Sequence, residues 1–403
     1  MPLSRRHFCT SAATLAASRI FTRQLLAQDH LAQPTSRPDV AVVDHDRILT
    51  AADRFLAQPI DTLTAHPSPP EIKSAPGEFV SDLDDPLTSS APDAPPTTRP
   101  QFNAHRDALL QLTLAVPALT AAWSITHTAE PASAARYAQQ AALSLKAWFI
   151  TPATRMEPSL NFAAMAPGTA GHPDGVAETS ALAEIAVALP FLARSEALSP
   201  EDLATIKGWF AAFLKWLTTS RLAALARDRK DHVGSSWLLQ CAAYARLLGD
   251  DTVLVELRHQ FKTVTLRAEV VGEGTFPHEL TTPNPYRNSL FNLDLLAAAC
   301  DQLSTRFETL WDYQLQDGPG LHVAISRHAP YIENRNTWPY RADAHLFNDL
   351  PCRRPALLFA ARAFQRPDYA TLWRSLNPDP TDPAILRTFP IRQPLLWVTR
   401  PQL

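Results

Sequence analysis

Ser199-Pro200-Glu201-Asp202-Leu203-Ala204-Thr205-Ile206-Lys207-Gly208-Trp209-Phe210-Ala211-Ala212-Phe213-Leu214-Lys215-Trp216-Leu217 is the stretch from which the fold reads outward. A serine is followed by proline and two acids, the residues that cap and open a helix and meet the positive end of its dipole. Leu203, Ile206, Trp209, Phe210, Phe213, Leu214 and Leu217 then recur at spacings of three and four, which places them on one helical face. Similar patterns run over 102–125, 132–148, 178–192, 237–248, 252–266 and 289–303. Short turn signals separate them, so neighbours are expected to pair as antiparallel hairpins. Residues 321–326 are the one segment that alternates like a strand. Only 11 glycines are spread over the 403 residues, which leaves little for hairpin turns or phosphate loops. The expectation is one all-α domain over 101–403, built of helical hairpins and closed as a ring or left open as a solenoid.

The segments before it are of another kind. Residues 66–100 carry nine prolines and read as an extended loop within an N-terminal segment, 28–100. Arg5-Arg6-His7-Phe8, ahead of a weakly apolar run from Cys9 to Ser18, resembles a twin-arginine export signal ending near Ala27. Its removal would change the net charge from −3 to −7 and send the protein to the periplasm or outside. No later segment reads as a membrane helix. With 37 basic and 40 acidic side chains there is no basic excess for nucleic acid. Cys241, Cys300 and Cys352 read as buried free thiols, and no His or Cys spacing suits a metal, so neither a metal nor a cofactor is expected.

Several motifs are then informative as a set: Ala104-His105-Arg106-Asp107-Ala108-Leu109, Ala147-Trp148-Phe149, and Pro152-Ala153-Thr154-Arg155-Met156-Glu157-Pro158-Ser159-Leu160-Asn161. Pro167-Gly168, Gly171 and Gly175 follow, then Glu279-Leu280, Ser289-x-x-Asn292-Leu293 and Arg392-Gln393-Pro394-Leu395-Leu396-Trp397. Together they resemble the alginate-lyase superfamily of polysaccharide lyases, over roughly 100–400. The resemblance implies an (α/α) toroid, or incomplete barrel, and β-elimination on a uronic-acid glycan. In that reaction a base removes the C5 proton, an acid protonates the leaving oxygen, and donors neutralise the carboxylate.

The resemblance also carries residues. Asp231-His232 stands where the family has an Asn-His pair, and His232 is expected as general base or as donor to the carboxylate. The family's Arg and catalytic Tyr positions fall on Thr282 and Asn288, while Tyr286 and Arg287 lie close by as candidate acid/base and charge neutraliser. Asn161, Asp231, Trp237, Asn288, Arg335 and Trp338 are the expected substrate contacts. Two other readings stand beside the lyase. One is a glycan-binding protein without catalysis, suggested by Thr282 and Asn288. The other is a hydrolase using Glu178 and Glu279 as paired carboxylates.

Overall fold

The computed structural model describes residues 35–83, 101–166, 170–316 and 318–399. The export signal, the rest of the proline-rich stretch and Pro167-Gly168 lie outside the described residues. The principal helices are α1 (His45–Leu56), α2 (Ala104–Thr126), α3 (Pro131–Phe149), α4 (Leu182–Leu192) and α5 (Pro200–Thr219). They continue as α6 (His232–Leu248), α7 (Asp251–Gln260), α8 (Pro285–Leu303), α9 (Leu321–Glu333), α10 (Pro355–Phe364) and α11 (Pro367–Ser375). The Ser199 cap is formed as a reciprocal box with Asp202, at 3.0 and 3.2 Å.

Alternate helices make the inner layer: α2 packs on α4, α4 on α6, α6 on α8 and α8 on α10. Their composition explains the position. In α6 the described residues are buried on every side except Arg246 and Leu248, and runs such as Ala242-Ala243 and Ala297-Ala298-Ala299 let backbones approach. Outer helices such as α5 and α7 keep a wet face. The arrangement is an (α/α) toroid. Residues 40–79 contribute Val40, Ile48, Leu63 and Phe79 to the same continuous core.

The inner helices α6 and α8 run the same way. Arg246 in the last turn of α6 donates to the Gln302 carbonyl at 2.5 Å, and Arg258 on α7 donates to the Leu303 carbonyl at 2.8 Å. Both N-termini therefore lie at one mouth of the ring and both C-termini at the other.

Three expectations are corrected. Residues 321–326 open α9 rather than a strand, because Leu321, Ala324, Ile325 and His328 make a buried helical face. Among the described residues the strands are Val80–Asp82 and Phe162–Met165, a short parallel pair. Ala104–Thr126 and the stretch Gly175–Leu192 are long and apolar enough to cross a membrane, contrary to the reading above. Both are core segments, with 72% and 89% of their apolar windows buried inside the fold. The helix expected over 252–266 departs from α geometry at Phe261, passes through a π turn over Phe261–Thr265 and ends as Leu266–Glu269.

The ring is closed by a buried carboxylate. Glu184, on α4, accepts the backbone N–H of Arg392 at 3.0 Å, that of Gln393 at 2.9 Å and the Trp397 indole at 3.2 Å. Burial raises its pKa, even against those donors and the nearby Arg392. Glu184→Ala leaves three buried donors without an acceptor. It is expected to cost about 3 kcal/mol or more, read as a lower urea midpoint at unchanged slope.

Candidate active site

At the N-terminal mouth the chain turns sharply into α6. Asp231 is the N-cap, its Oδ1 accepting from the Val233 N–H at 3.0 Å. Arg229 holds that cap with Nε at 3.0 Å from Asp231 Oδ2, and reaches Asp174 Oδ1 with Nη1 at 2.9 Å. Gly234 is required in the first turn, since a Cβ there would collide with the Arg229 carbonyl. His232 follows the cap and is 2% exposed.

A positive charge at a helix N-terminus opposes the dipole, so a protonated His232 needs a counter-charge. Glu279 supplies it from the single turn Pro277–Leu280. Its Oε1 accepts the His232 backbone N–H at 2.6 Å, and both carboxylate oxygens lie 3.1 Å from Nδ1. With Nδ1 engaged, Nε2 is the ring nitrogen that makes no hydrogen bond among the described residues. The Phe291 ring packs 5.5 Å away, centroid to centroid.

Burial pulls the His232 pKa down, but the Glu279 charge and hydrogen bond, with Asp231 and Asp174, outweigh it and carry it up to about 9. Burial pushes the Glu279 carboxyl above its ordinary range, with His232 restraining the rise. The shift favours the protonated form of His232, whose Nδ1–H then donates to the Glu279 carboxylate. Behind it, Glu269 at the end of the π-turn segment accepts from Ser235 Oγ at 2.6 Å and Asn292 Nδ2 at 3.0 Å. Burial raises Glu269 well above the usual carboxylate range. At the rim, His172 is half-exposed with Nδ1 3.4 Å from Asp174 Oδ1.

The other residues expected from sequence are placed differently. Tyr286 and Arg287, in the first turn of α8, are both fully buried. Their backbone N–H groups are bound by Asp343, at 2.7 and 2.9 Å. The Tyr286 hydroxyl donates to the Tyr331 carbonyl at 2.9 Å, and its ring meets Trp338 and Phe347 edge-on. Burial raises its pKa far above the ordinary phenol value, so it does not present a free acid/base. Asn288 is buried too. Its Nδ2 donates to Thr282 Oγ1 at 3.1 Å, and Thr282 Oγ1 donates to the Glu279 carbonyl at 2.8 Å. The two departures from the family pattern thus brace the turn that carries Glu279.

Trp237 is a core side chain, 6% exposed, with its indole on the Leu217 carbonyl at 2.8 Å. Trp338 is buried among Tyr286, Tyr331 and Tyr340. Arg335 is spent on the carbonyls of Asn348 and Leu350, both at 2.7 Å. Asn161 is exposed and accepts from the Trp216 indole at 3.2 Å. Glu178 pairs with Arg106 at 2.6 Å while Glu279 pairs with His232, so the two glutamates serve different partners. Arg229, Asp174 and Glu269 were not singled out as site residues. Arg229 had a signal in the run Arg229-Lys230-Asp231-His232, which read only as a polar approach; Asp174 and Glu269 lie far from it in the chain and had none.

This ring of helices, with a buried histidine–carboxylate pair at one mouth, has relatives. The alginate lyase family model matches residues 62–338, and the chain belongs to that family. Its members are polysaccharide lyases. The chain is similar to the crystal structure of an alginate lyase from Bacteroides ovatus, at 21% identity over 95% of this chain and 97% of that one, with a TM-score of 0.73. It is more distantly similar to alginate lyase A1-III from Sphingomonas species A1, at 11% identity over 79% and 86% of the two chains and a TM-score of 0.45. No curated protein matches it.

The raised His232 pKa fixes a pH dependence. A group whose folded pKa lies above its unfolded value of 6.5 stabilises fully below 6.5 and loses that contribution as pH rises through about 9. Melting temperature is expected to fall between those values, and His232→Gln is expected to flatten the fall.

Proposed function

We propose that the protein is an exported polysaccharide lyase that cleaves a uronic-acid glycan of the alginate type by β-elimination. The observation that carries this is the His232–Glu279 pair at the mouth where inner helices present their N-termini, a place suited to an anionic substrate. The His232 imidazolium donates from Nε2 to the uronate carboxylate and stabilises the enolate-like state formed when the C5 proton leaves. Glu279 fixes the ring orientation and keeps it protonated. His172, on the rim and oriented by Asp174, is assigned the abstraction of the C5 proton and its return to the leaving glycosidic oxygen as the C4–O bond breaks. The buried positions of Tyr286 and Arg287 favour the alternative, a glycan-binding protein on the same toroid, and turnover separates the two.

The test is ultraviolet absorbance of the unsaturated product over alginate, glucuronan, pectate and glycosaminoglycans. Wild type is expected to turn over at least one of them. His232→Ala and His172→Ala are each expected to lose about 100-fold or more in kcat. Activity should fall as pH rises through about 9, where His232 loses its proton. A rise through that pH would make His232 the base instead, and flat traces from folded protein would leave the binding protein.

The export half of the reading rests on Arg5-Arg6. Replacing both by lysine is expected to leave the protein in the cytoplasm on cell fractionation.

A further inference from the structure

The opposite mouth of the ring holds a cavity of about 780 Å³ that the lyase reading does not use. It lies where the C-terminal ends of α4, α6, α8 and α10 converge. By helix rise it is about 21 Å from His232, counted along α6 to Arg246. Its wall carries Arg37, Arg246, Arg306 and Arg362 against one acid, Asp301. Arginines at helix C-termini are often there to meet carbonyls, and Arg246 does so at Gln302. Among the described residues the guanidinium groups of Arg37 and Arg362 have no hydrogen bond or ion pair. Burial lowers the Arg362 pKa, repulsion from Arg37 adds to that, and Asp301 offsets part of it.

A second feature points to a ligand. Gln302 lines the cavity, is 2% exposed, and its Nε2 is buried with no acceptor. A buried amide donor without a partner is unfavourable, by about 1–3 kcal/mol. Carbonyl, hydroxyl or carboxylate oxygens of a ligand would relieve it. Ser304, Thr305 and Trp311 add hydroxyls and an aromatic wall, which suit a saccharide, and the volume exceeds what a bare inorganic anion fills.

We propose that this far mouth is a second binding site for an acidic saccharide, with the carboxylate held by Arg37 and Arg362 and a ring oxygen or hydroxyl accepting from Gln302. The choice of a uronate rests on the lyase reading; the anion-binding geometry does not. Buried side chains fill the ring between the two mouths, so the site anchors a separate sugar unit rather than the bond being cleaved.

Calorimetry on the full chain carrying His172→Ala, which spares the ligand and keeps the His232 contact, tests this with an alginate trisaccharide, neutral cellotriose and inorganic phosphate. Two trisaccharide sites are expected, and no binding of cellotriose at the far one. Arg37→Ala with Arg362→Ala should weaken one site about tenfold or more and leave the other unchanged. Gln302→Leu removes an unsatisfied donor, so it should weaken the same site without lowering the melting temperature. Unaltered binding in both variants overturns the proposal. So does phosphate displacing the trisaccharide at equal concentration, which would make the far mouth a simple anion site. If wild type proves inactive on every polymer while one arginine-dependent site persists, the lyase reading fails and this one stands.

Discussion

A carboxylate without access to water holds this molecule together. Glu184 gathers two backbone N–H groups and an indole from residues 392–397 onto α4, and thereby joins the last elements of the ring to an early one. The neighbourhood repeats the theme. Arg47 reaches the Arg392 carbonyl and the Gln393 side chain, and Arg353 binds Asp44 at 2.7 Å. Helices such as α4 and α8 have no polar face to offer water, so they are stable only when neighbours surround them. Closure is therefore a condition for the inner layer and not an ornament on it.

The same closure gives the ring two unlike ends. Parallel inner helices sum their dipoles, so the N-terminal mouth attracts negative charge, while at the C-terminal mouth Arg37, Arg246, Arg306 and Arg362 oppose the negative helix ends. A histidinium placed at the attractive mouth would be unstable alone, which is why a carboxylate is buried against it. Thr282 and Asn288 support that carboxylate's turn. Thr282 and Asn288, which stand at the positions where the resemblance implies an Arg and a Tyr, are thus parts of a brace.

Helix positions were legible because their signals are local. The Ser199 cap, the three-and-four spacing of Trp209, Phe210 and Phe213, and the short turns survive in the structure within a few residues. The strand reading at 321–326 failed because six residues of alternation also fit one buried helical face, and only packing decides between them. The place of His232 at the head of a helix was legible in the sequence. Glu279 as its partner was not, since 47 positions separate them in the chain and no period links a turn to a distant helix. Tyr286, Trp237 and Trp338 were misread for a shared reason: an aromatic with a polar atom looks alike in sequence whether that atom meets a sugar or a carbonyl.

Glu184 and its partners also bear on the order of assembly. A solenoid adds each hairpin to a finished neighbour, so its early part is already folded while the rest is being made. Here α4 waits for residues 392–397, more than two hundred positions later, before its buried carboxylate has donors. The contact is long in sequence, so the closed ring with Glu184 satisfied cannot form before residues 392–397 have been made.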